Sequence, residues 1–299
     1  MSTTEQQATA AREDVTFTSG GDLVAAWHYR PGVPDATGTC VVMAHGFSMT
    51  RHDGLERYAA ALAGAGAHVL VFDHRYLGDS GGEPRQRFRR AEQLEDWRNA
   101  IAFARTIDGV DPARIVLWGF SFSGGHAITL AAQRDDLAGV VVLCPFVNGL
   151  RRVLDTPPAL SAWIIPRAIA DLAGRDVLIP VTGEPGERGA MTLPGEARGF
   201  AASAPEGSPW RNEISPGLFL TVALLRPLSR ARKVTVPLWV GLGERDVSVH
   251  NGSVAKLAER APRGELHRYD ADHFGPFLGE LPDRIAGDQI DFLQRSDLL

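Results

Sequence analysis

Short apolar runs rich in β-branched residues alternate with helix-like segments along most of the 299-residue chain. Helical periodicity fills the intervals between them, as in residues 91–106. Strands that are apolar on both faces and joined by helices form parallel sheets that helices cover on both sides. The sequence therefore predicts an α/β fold on a mostly parallel sheet. The first four predicted parallel strands are residues 39–44, 68–73, 114–118 and 139–144.

The pattern also has an antiparallel start and a late continuation. Residues 15–18 and 23–29 alternate around Gly20-Gly21, which predicts a β-hairpin. The alternation stops after Pro145 and resumes near Val236. Beyond that point we predict strands at 237–242 and 266–269, and helices at 252–261 and 283–295.

The interruption predicts an inserted cap domain. Its Gly- and Pro-rich middle lies between two apolar segments of helical character, residues 160–172 and 218–228. Free linkers lack such apolar faces. We therefore divide the chain into a core domain, residues 1–146 and 235–299, and a cap, residues 147–234. The Gly- and Pro-rich middle is a candidate lid loop.

Composition argues against several classes of function. The formal net charge of -5 is unlike the basic stripe of nucleic-acid binders. No apolar stretch reaches the roughly 18 residues of a membrane span, and the N-terminus lacks the apolar core of a signal peptide. Cys40 and Cys144 lie inside apolar runs, which predicts buried free thiols typical of a reducing compartment. We expect a cytoplasmic protein that needs no metal or other cofactor.

The main functional signal is a serine at a sharp turn. The strand at 114–118 runs into the sequence GFSFSGG, residues 119–125, and a helix follows. Small residues two positions before and two after a serine allow the turn that projects its hydroxyl above the sheet. Gly119 and Ser123 flank Ser121 in this way, so we predict Ser121 as the nucleophile. Ser123 is the alternative nucleophile, and a helix-capping serine pair is the non-catalytic explanation.

A serine nucleophile needs a base, and the base needs an orienting acid. His273 is the predicted base, because it follows the last predicted strand in a loop that reaches back over the sheet edge. The predicted acid is Asp246, in the loop after the strand at 237–242. A turn carboxylate that bonds its own backbone is the non-catalytic explanation for that aspartate. The alternatives are His126, His250 and His267 for the base, and Glu244, Asp270 and Asp272 for the acid.

Two backbone amides are predicted to form an oxyanion hole. One is the N–H of Phe122, the residue after the nucleophile, and the other is the N–H of Phe47 in the loop after the strand at 39–44. Gly46 lets that loop turn its amide toward the developing charge. We interpret His45 as a structural residue that bonds the backbone.

These residues resemble the α/β-hydrolase superfamily. The similar segments occur in the family's order and span nearly the whole chain outside the cap. The resemblance implies an eight-stranded sheet, a nucleophile elbow, a lid inserted after the sixth strand, and a purely structural turn at residues 73–80. The segments are residues 45–47, 73–80, 119–125, 243–246 and 272–274.

A narrower similarity concerns the elbow and the cap. Both are similar to bacterial hydrolases grouped with dienelactone-hydrolase-like and fungal polyketide acyltransferase-like proteins. Dienelactone hydrolases use a cysteine nucleophile, whereas this elbow carries Ser121. Haloalkane dehalogenases and epoxide hydrolases would need an aspartate there. The similarity therefore implies no particular substrate.

Together the residues predict a serine hydrolase that cleaves an ester, lactone or thioester of a hydrophobic small molecule through an acyl-enzyme on Ser121. Acyl transfer and amide or peptide hydrolysis use the same residues, and a non-catalytic ligand-binding protein is the alternative of a different class. The sequence leaves open whether the protein forms a homodimer. The predicted pocket residues in the cap are Trp163, Met191, Trp210 and Phe219. Packing of the cap on the core is the other explanation for these four residues.

Overall fold

An eight-stranded sheet forms the centre of the protein. The computed structural model describes residues 11–34 and 36–299. The first ten residues belong to the N-terminal segment in which we predict no signal peptide, and they lie outside the described residues. The strands are β1 (Arg12–Ser19), β2 (Asp22–Tyr29), β3 (Cys40–Ala44), β4 (His68–Phe72), β5 (Ile115–Phe120), β6 (Gly139–Leu143), β7 (Leu238–Gly243) and β8 (Gly264–Tyr269).

The strand order is β1-β2-β4-β3-β5-β6-β7-β8. β2 pairs antiparallel with β1 and β4, and all other neighbours are parallel. The predicted eight-stranded, mostly parallel sheet is confirmed. The carboxyl ends of the parallel strands lie along one edge, where open α/β sheets bind their ligands.

Helices cover both faces of the sheet, as the apolar strands require. The helices are α1 (Leu55–Gly64), α2 (Arg90–Ala104), α3 (Ser121–Ala131), α4 (Gly149–Asp155), α5 (Pro158–Leu172), α6 (Glu196–Ser203), α7 (Asn251–Arg260) and α8 (Leu281–Arg295). α1 and α8 pack on one face, and α2, α3 and α7 pack on the other. Within the described residues, no helix is long and apolar enough to span a membrane.

The inner strands show why their sequence is continuously apolar. In β3, Val41 and Met43 join the core under α1 and α8, whereas Val42 and Ala44 join the core under α2 and α3. Because successive side chains point to opposite faces, a strand covered on both sides must be apolar throughout. All residues of β3, β4, β5 and β6 are buried accordingly.

The segment between β6 and β7 contains α4, α5, α6 and several short 3-10 helices. The predicted helix at 160–172 is confirmed as α5, but the predicted helix at 218–228 is wrong. Prolines at positions 216 and 227 each begin a new 3-10 helix there, and a proline lacks the N–H that a continuous helix would use. The helices α4 and α6 were not predicted, because each is too short to show a clear helical period.

Polar contacts and an apolar layer fasten this segment to the rest of the chain. Ser208 Oγ lies 2.6 Å from Asp53 Oδ1, and Arg89 Nη2 lies 2.7 Å from Asp171 Oδ1. A separate buried apolar cluster lies between the two parts and includes Phe88, Phe122 and Phe200 among its members. Such a layer excludes water and adds hydrophobic stabilisation to the contact.

A buried aspartate organises the turn after β4. Asp73 Oδ1 accepts a hydrogen bond from the Arg51 amide at 2.6 Å, and Oδ2 accepts one from the Asp79 amide at 3.1 Å and from the Arg51 guanidinium. Gly78 stands against this carboxylate with a φ of 52°, and a Cβ there would overlap Asp73 Oδ2. The turn therefore needs glycine for its backbone and for its space.

Gly78→Ala should destabilise the fold by about 2–5 kcal/mol, because left-handed strain and a clash with a buried carboxylate add together. Gly279→Ala is the matched control, since Gly279 has a φ of 62° but a Cβ added there would meet no described atom within 4 Å. The control should lose about 1–2 kcal/mol, from strain alone. Urea unfolding of both variants measures the difference, and equal losses would contradict this account of the turn.

The free energy of unfolding should depend on pH partly through a buried histidine in α3. His126 Nε2 lies 2.9 Å from Gln93 Oε1, and burial lowers the pKa of His126 well below its usual value. Below a pH of about 6.5 the unfolded chain binds a proton here that the folded chain does not, so stability falls as pH falls. His126→Gln should reduce that slope by up to about 1.4 kcal/mol per pH unit. Urea unfolding between neutral and acidic pH tests this, and identical slopes would contradict it.

Candidate active site

The strand-to-helix turn places Ser121 in a strained conformation. β5 extends to Phe120, two residues beyond its predicted end, and α3 begins at Ser121, whose φ is 50°. A Cβ on Gly119 would lie 2.5 Å from the Ser123 carbonyl oxygen, so only glycine fits at that position. The left-handed backbone at a residue with a side chain is typical of a nucleophile elbow.

Three side chains from separate loops meet at this turn. His273 Nε2 lies 3.0 Å from Ser121 Oγ, and His273 Nδ1 lies 2.6 Å from Asp246 Oδ2. Asp246 Oδ1 accepts hydrogen bonds from the amides of Ser248, at 2.8 Å, and Val249, at 3.1 Å. With Nδ1–H donated to the carboxylate, Nε2 is free to accept the serine proton. The geometry is that of a Ser-His-Asp triad.

The alternative bases and acids point elsewhere. Two of the histidines have other partners: His250 caps α7 by accepting from the Ser253 amide at 3.0 Å, and His267 lies 2.6 Å from Glu265. The third alternative, His126, faces α2. Among the acids, Glu244 and Asp270 are exposed beside arginines, and Asp272 accepts from the amides of Phe274 and Gly275. None of these side chains is hydrogen-bonded to Ser121.

Ser123 has a triad-like environment of its own. Its Oγ lies 3.4 Å from His74 Nε2, and His74 Nδ1 lies 3.3 Å from Asp96 Oδ2. Both distances are longer than those at Ser121, and Asp96 Oδ1 also accepts from Arg75 Nε at 2.6 Å. Ser123 lies within α3 and is fully buried, whereas Ser121 lines a cavity. The geometry therefore favours Ser121 as the reactive serine.

The predicted oxyanion-hole amides lie beside Ser121. A Cβ on Gly46 would lie 2.9 Å from Ser121 Cβ, so the loop after β3 approaches the serine closely. The Phe47 N–H has no hydrogen-bond acceptor among the described residues. The Phe122 N–H is in the first turn of α3, where amides lack a partner within the helix. Phe47 and Phe122 both line the cavity at Ser121.

His45 holds this loop in place. Its Nδ1 accepts a hydrogen bond from the Gly46 amide at 2.8 Å, so its Nε2 carries the proton and donates to the Asp53 carbonyl at 2.7 Å. Burial lowers the pKa of His45 to about 3. A permanently neutral ring that bonds backbone on both sides has a structural role, as predicted.

Cys144 lies next to the acid and the base, a proximity that the sequence did not predict. Its Sγ lies within 4.8 Å of ligating atoms of Asp246 and His273, and all three residues are buried. Burial raises the pKa of the Cys144 thiol well above its usual value, and the charge of Asp246 adds to that effect. Cys40 and Cys144 are both buried free thiols, as predicted. Only the parallel pairing of β6 with β7 brings Cys144 to Asp246.

Two of the four predicted pocket residues line the cavity at Ser121, which measures about 50 Å³. These are Met191 and Phe219. Trp163 and Trp210 do not line this cavity. Trp210 stacks on Phe200 at 5.5 Å, and Arg167 covers the ring of Trp163 at 4.3 Å. Both rings therefore pack against other side chains of residues 147–234.

Other lining residues carry no signal in the sequence. Phe146 follows the end of β6, Arg152 belongs to α4, and Ser248 follows Asp246 by two positions. Each belongs to a different part of the chain, so only the fold brings them to the cavity. Arg152 is the one charged side chain in the described lining.

Comparisons with known proteins agree with this geometry. A family model described as serine aminopeptidase, S33 (Hydrolase_4), matches residues 35–273. The chain is 34% identical to the quorum-quenching protein AidA of Acinetobacter baumannii over 287 residues, which cover 94% of each chain. It is 26% identical to the thiohydrolase aneE of Aspergillus aculeatus over 282 residues, which cover 87% of this chain and 86% of the other.

A solved structure shares the fold along nearly the whole chain. The α/β hydrolase GrgF from Penicillium sp. sh18 has a TM-score of 0.81 and 24% identity, and the match covers 96% of this chain and 99% of GrgF. At that identity the likeness shows the fold alone. The family model and the match to AidA establish the relationship in sequence: the chain belongs to the serine aminopeptidase S33 family of α/β hydrolases.

Proposed function

We propose that this protein is a serine hydrolase that cleaves the ester, lactone or thioester bond of a hydrophobic small molecule. The observation that carries the proposal is the chain of hydrogen bonds from Ser121 Oγ to His273, at 3.0 Å, and from His273 to Asp246, at 2.6 Å. Membership of a hydrolase family supports the reaction class, and a relative named a thiohydrolase supports the inclusion of thioesters.

The proposed reaction proceeds through an acyl-enzyme. His273 Nε2 takes the proton of Ser121 Oγ as that oxygen attacks the substrate carbonyl carbon. The amides of Phe47 and Phe122 stabilise the oxyanion, and Asp246 stabilises the imidazolium. The imidazolium then gives its proton to the leaving oxygen or sulfur. Water, deprotonated by His273, attacks the acyl-enzyme and releases the acid and Ser121.

The cap has two roles in this proposal. Residues 147–234 form a unit that roofs the site, because Met191 and Phe219 from this segment face Ser121 across a narrow cavity. Aromatic side chains also line the core side of the cavity, including Phe47 and Phe122. An apolar, water-poor enclosure suits a hydrophobic acyl group and strengthens the hydrogen bonds to the oxyanion.

Acyl transfer is a second candidate function that one observation favours. A cavity of about 480 Å³ adjoins the cavity at Ser121, and the two share Phe146, Arg152 and Ser248 in their linings. This space has room for an acceptor alcohol or amine in place of water. Product analysis with an added alcohol distinguishes the two functions, since transfer yields a new ester whereas hydrolysis yields only the acid.

A fluorophosphonate probe should label Ser121, because only an activated serine reacts rapidly with it. Peptide mapping by mass spectrometry locates the label. Ser121→Ala should remove the label and lower kcat roughly 10³-fold or more on any ester that the wild type hydrolyses. Ser123→Ala is the matched control and should keep the label. Label on Ser123, or none on folded protein with either a fluorophosphonate or a smaller sulfonyl fluoride, would contradict the proposal.

Phe219→Ala should shift the preference toward longer acyl chains, since it enlarges a cavity of only about 50 Å³. We expect the ratio of kcat/KM for 4-nitrophenyl octanoate to that for the acetate to rise about 10-fold. Trp163→Ala is the control, because Trp163 lies in the cap but outside the cavity lining. The ratio should stay within about 3-fold of wild type in the control. Similar shifts in both variants would indicate a loosened cap instead of an enlarged pocket.

A further inference from the structure

Arg152 occupies the junction between the two cavities at the site. It lines the small cavity that contains Ser121 and also the neighbouring cavity of about 480 Å³. Its side chain is only 20% exposed. A guanidinium keeps its charge at every physiological pH, so the protein holds a permanent, partly desolvated cation beside the reactive serine.

The guanidinium makes no short hydrogen bond with the described residues. Its nearest acceptors are the Ala190 carbonyl at 3.5 Å and Glu196 Oε1 at 3.6 Å, both longer than a good hydrogen bond. Glu196 is instead satisfied by Ser248 Oγ at 2.8 Å and by the Leu193 amide at 2.7 Å. Five N–H donors on a partly buried cation therefore retain most of their hydrogen-bonding capacity.

The acidic groups that the structure describes near the two cavities each have a partner, and the cationic partner of Glu196 is Arg152 itself, at 3.6 Å. Asp246 is bound to His273, and Asp155, which lines the larger cavity, lies 3.2 Å from Arg151. Glu196, the remaining neighbour, is fully buried behind Ser248. Glu196 lines neither cavity, and Arg152 is the one arginine or lysine in the described lining of either, beside the carboxylates of Asp155 and Asp246 in the larger one. Desolvated charges are stabilised by an opposite charge with good hydrogen-bond geometry.

We propose that Arg152 is a specificity residue that binds a carboxylate on the substrate while the reacting carbonyl lies at Ser121. The fork of the guanidinium matches a carboxylate with two parallel hydrogen bonds. The substrate is then amphiphilic, with an apolar part against Met191 and Phe219 and an anionic group at Arg152, where the two cavities meet. This inference rests on the proposed hydrolase function and specifies that the substrate carries a negative charge.

Binding of monomethyl and dimethyl esters of dicarboxylic acids tests the proposal. The ligands are the two ester series of succinic, glutaric, adipic and suberic acids, which place a carboxylate or a neutral methyl ester at increasing distance from an ester carbonyl. Isothermal titration calorimetry is performed on Ser121→Ala protein, which cannot turn the esters over. The best monomethyl ester should bind roughly 10-fold or more tightly than its dimethyl counterpart, and higher salt should weaken it.

Two further substitutions in the Ser121→Ala background separate recognition from structure. Arg152→Met should weaken the monomethyl ester roughly 10-fold or more while the dimethyl ester changes less than about 3-fold. Arg232→Met is the control, because Arg232 is exposed and lines neither cavity, and neither affinity should change. Equal weakening of both esters by Arg152→Met, no preference for the monoanion, or binding of neither series would overturn the proposal.

The outcome is separable from that of the proposed function. Fluorophosphonate labelling of Ser121 reports the activated nucleophile and does not depend on Arg152. Labelling without a preference for the monoanion would reject the role of Arg152 and keep the hydrolase. A charge preference that depends on Arg152, without labelling, would reject the hydrolase and leave an anion-binding site.

Discussion

The left-handed backbone at Ser121 is the constraint on which the rest of the site depends. A φ of 50° at a residue with a side chain is unfavourable, and the surrounding structure must hold it there. Gly119 lies against the carbonyl of Ser123, and the Ser121 carbonyl accepts a hydrogen bond from the Phe146 amide at 2.8 Å. The buried strand β5 and the loop after β6 thus hold the turn in place. Strain at this position is what raises the hydroxyl above the sheet edge and presents it to His273.

Burial also determines which groups around the serine carry charge. His45 is neutral, because burial lowers its pKa to about 3, and the Cys144 thiol stays protonated, because burial raises its pKa. Asp246 keeps its orientation through two backbone amides and the ring of His273. The negative charge beside the base is therefore localised on one carboxylate whose hydrogen bonds fix the tautomer of the imidazole.

Helix α6, in the segment between β6 and β7, contacts the loops that carry His273 and Asp246. Gly199 of α6 packs so closely on the ring of Phe274 that a Cβ would overlap it, and Phe274 directly follows His273. In the same helix, Glu196 accepts a hydrogen bond from the Ser248 hydroxyl. The backbone N–H of Ser248 donates a second hydrogen bond to Asp246 Oδ1. Residues of α6 thus lie against the loops of both the predicted base and the predicted acid.

The sequence by itself determined the sheet, the order of its parallel strands along the chain and the three candidate triad positions. A strand buried on both faces must be apolar, a sharp turn needs small residues at defined spacing, and the family's order of serine, acid and histidine is visible in the chain. The tertiary structure decided which cap side chains face Ser121, since Met191 and Trp210 are both apolar and differ only in where the irregular backbone places them. The tertiary structure also decided that Cys144 lies beside Asp246 and His273, and that Arg152 lines the cavity at Ser121. A residue's neighbours across strands and between helices depend on long-range packing, which local periodicity does not encode.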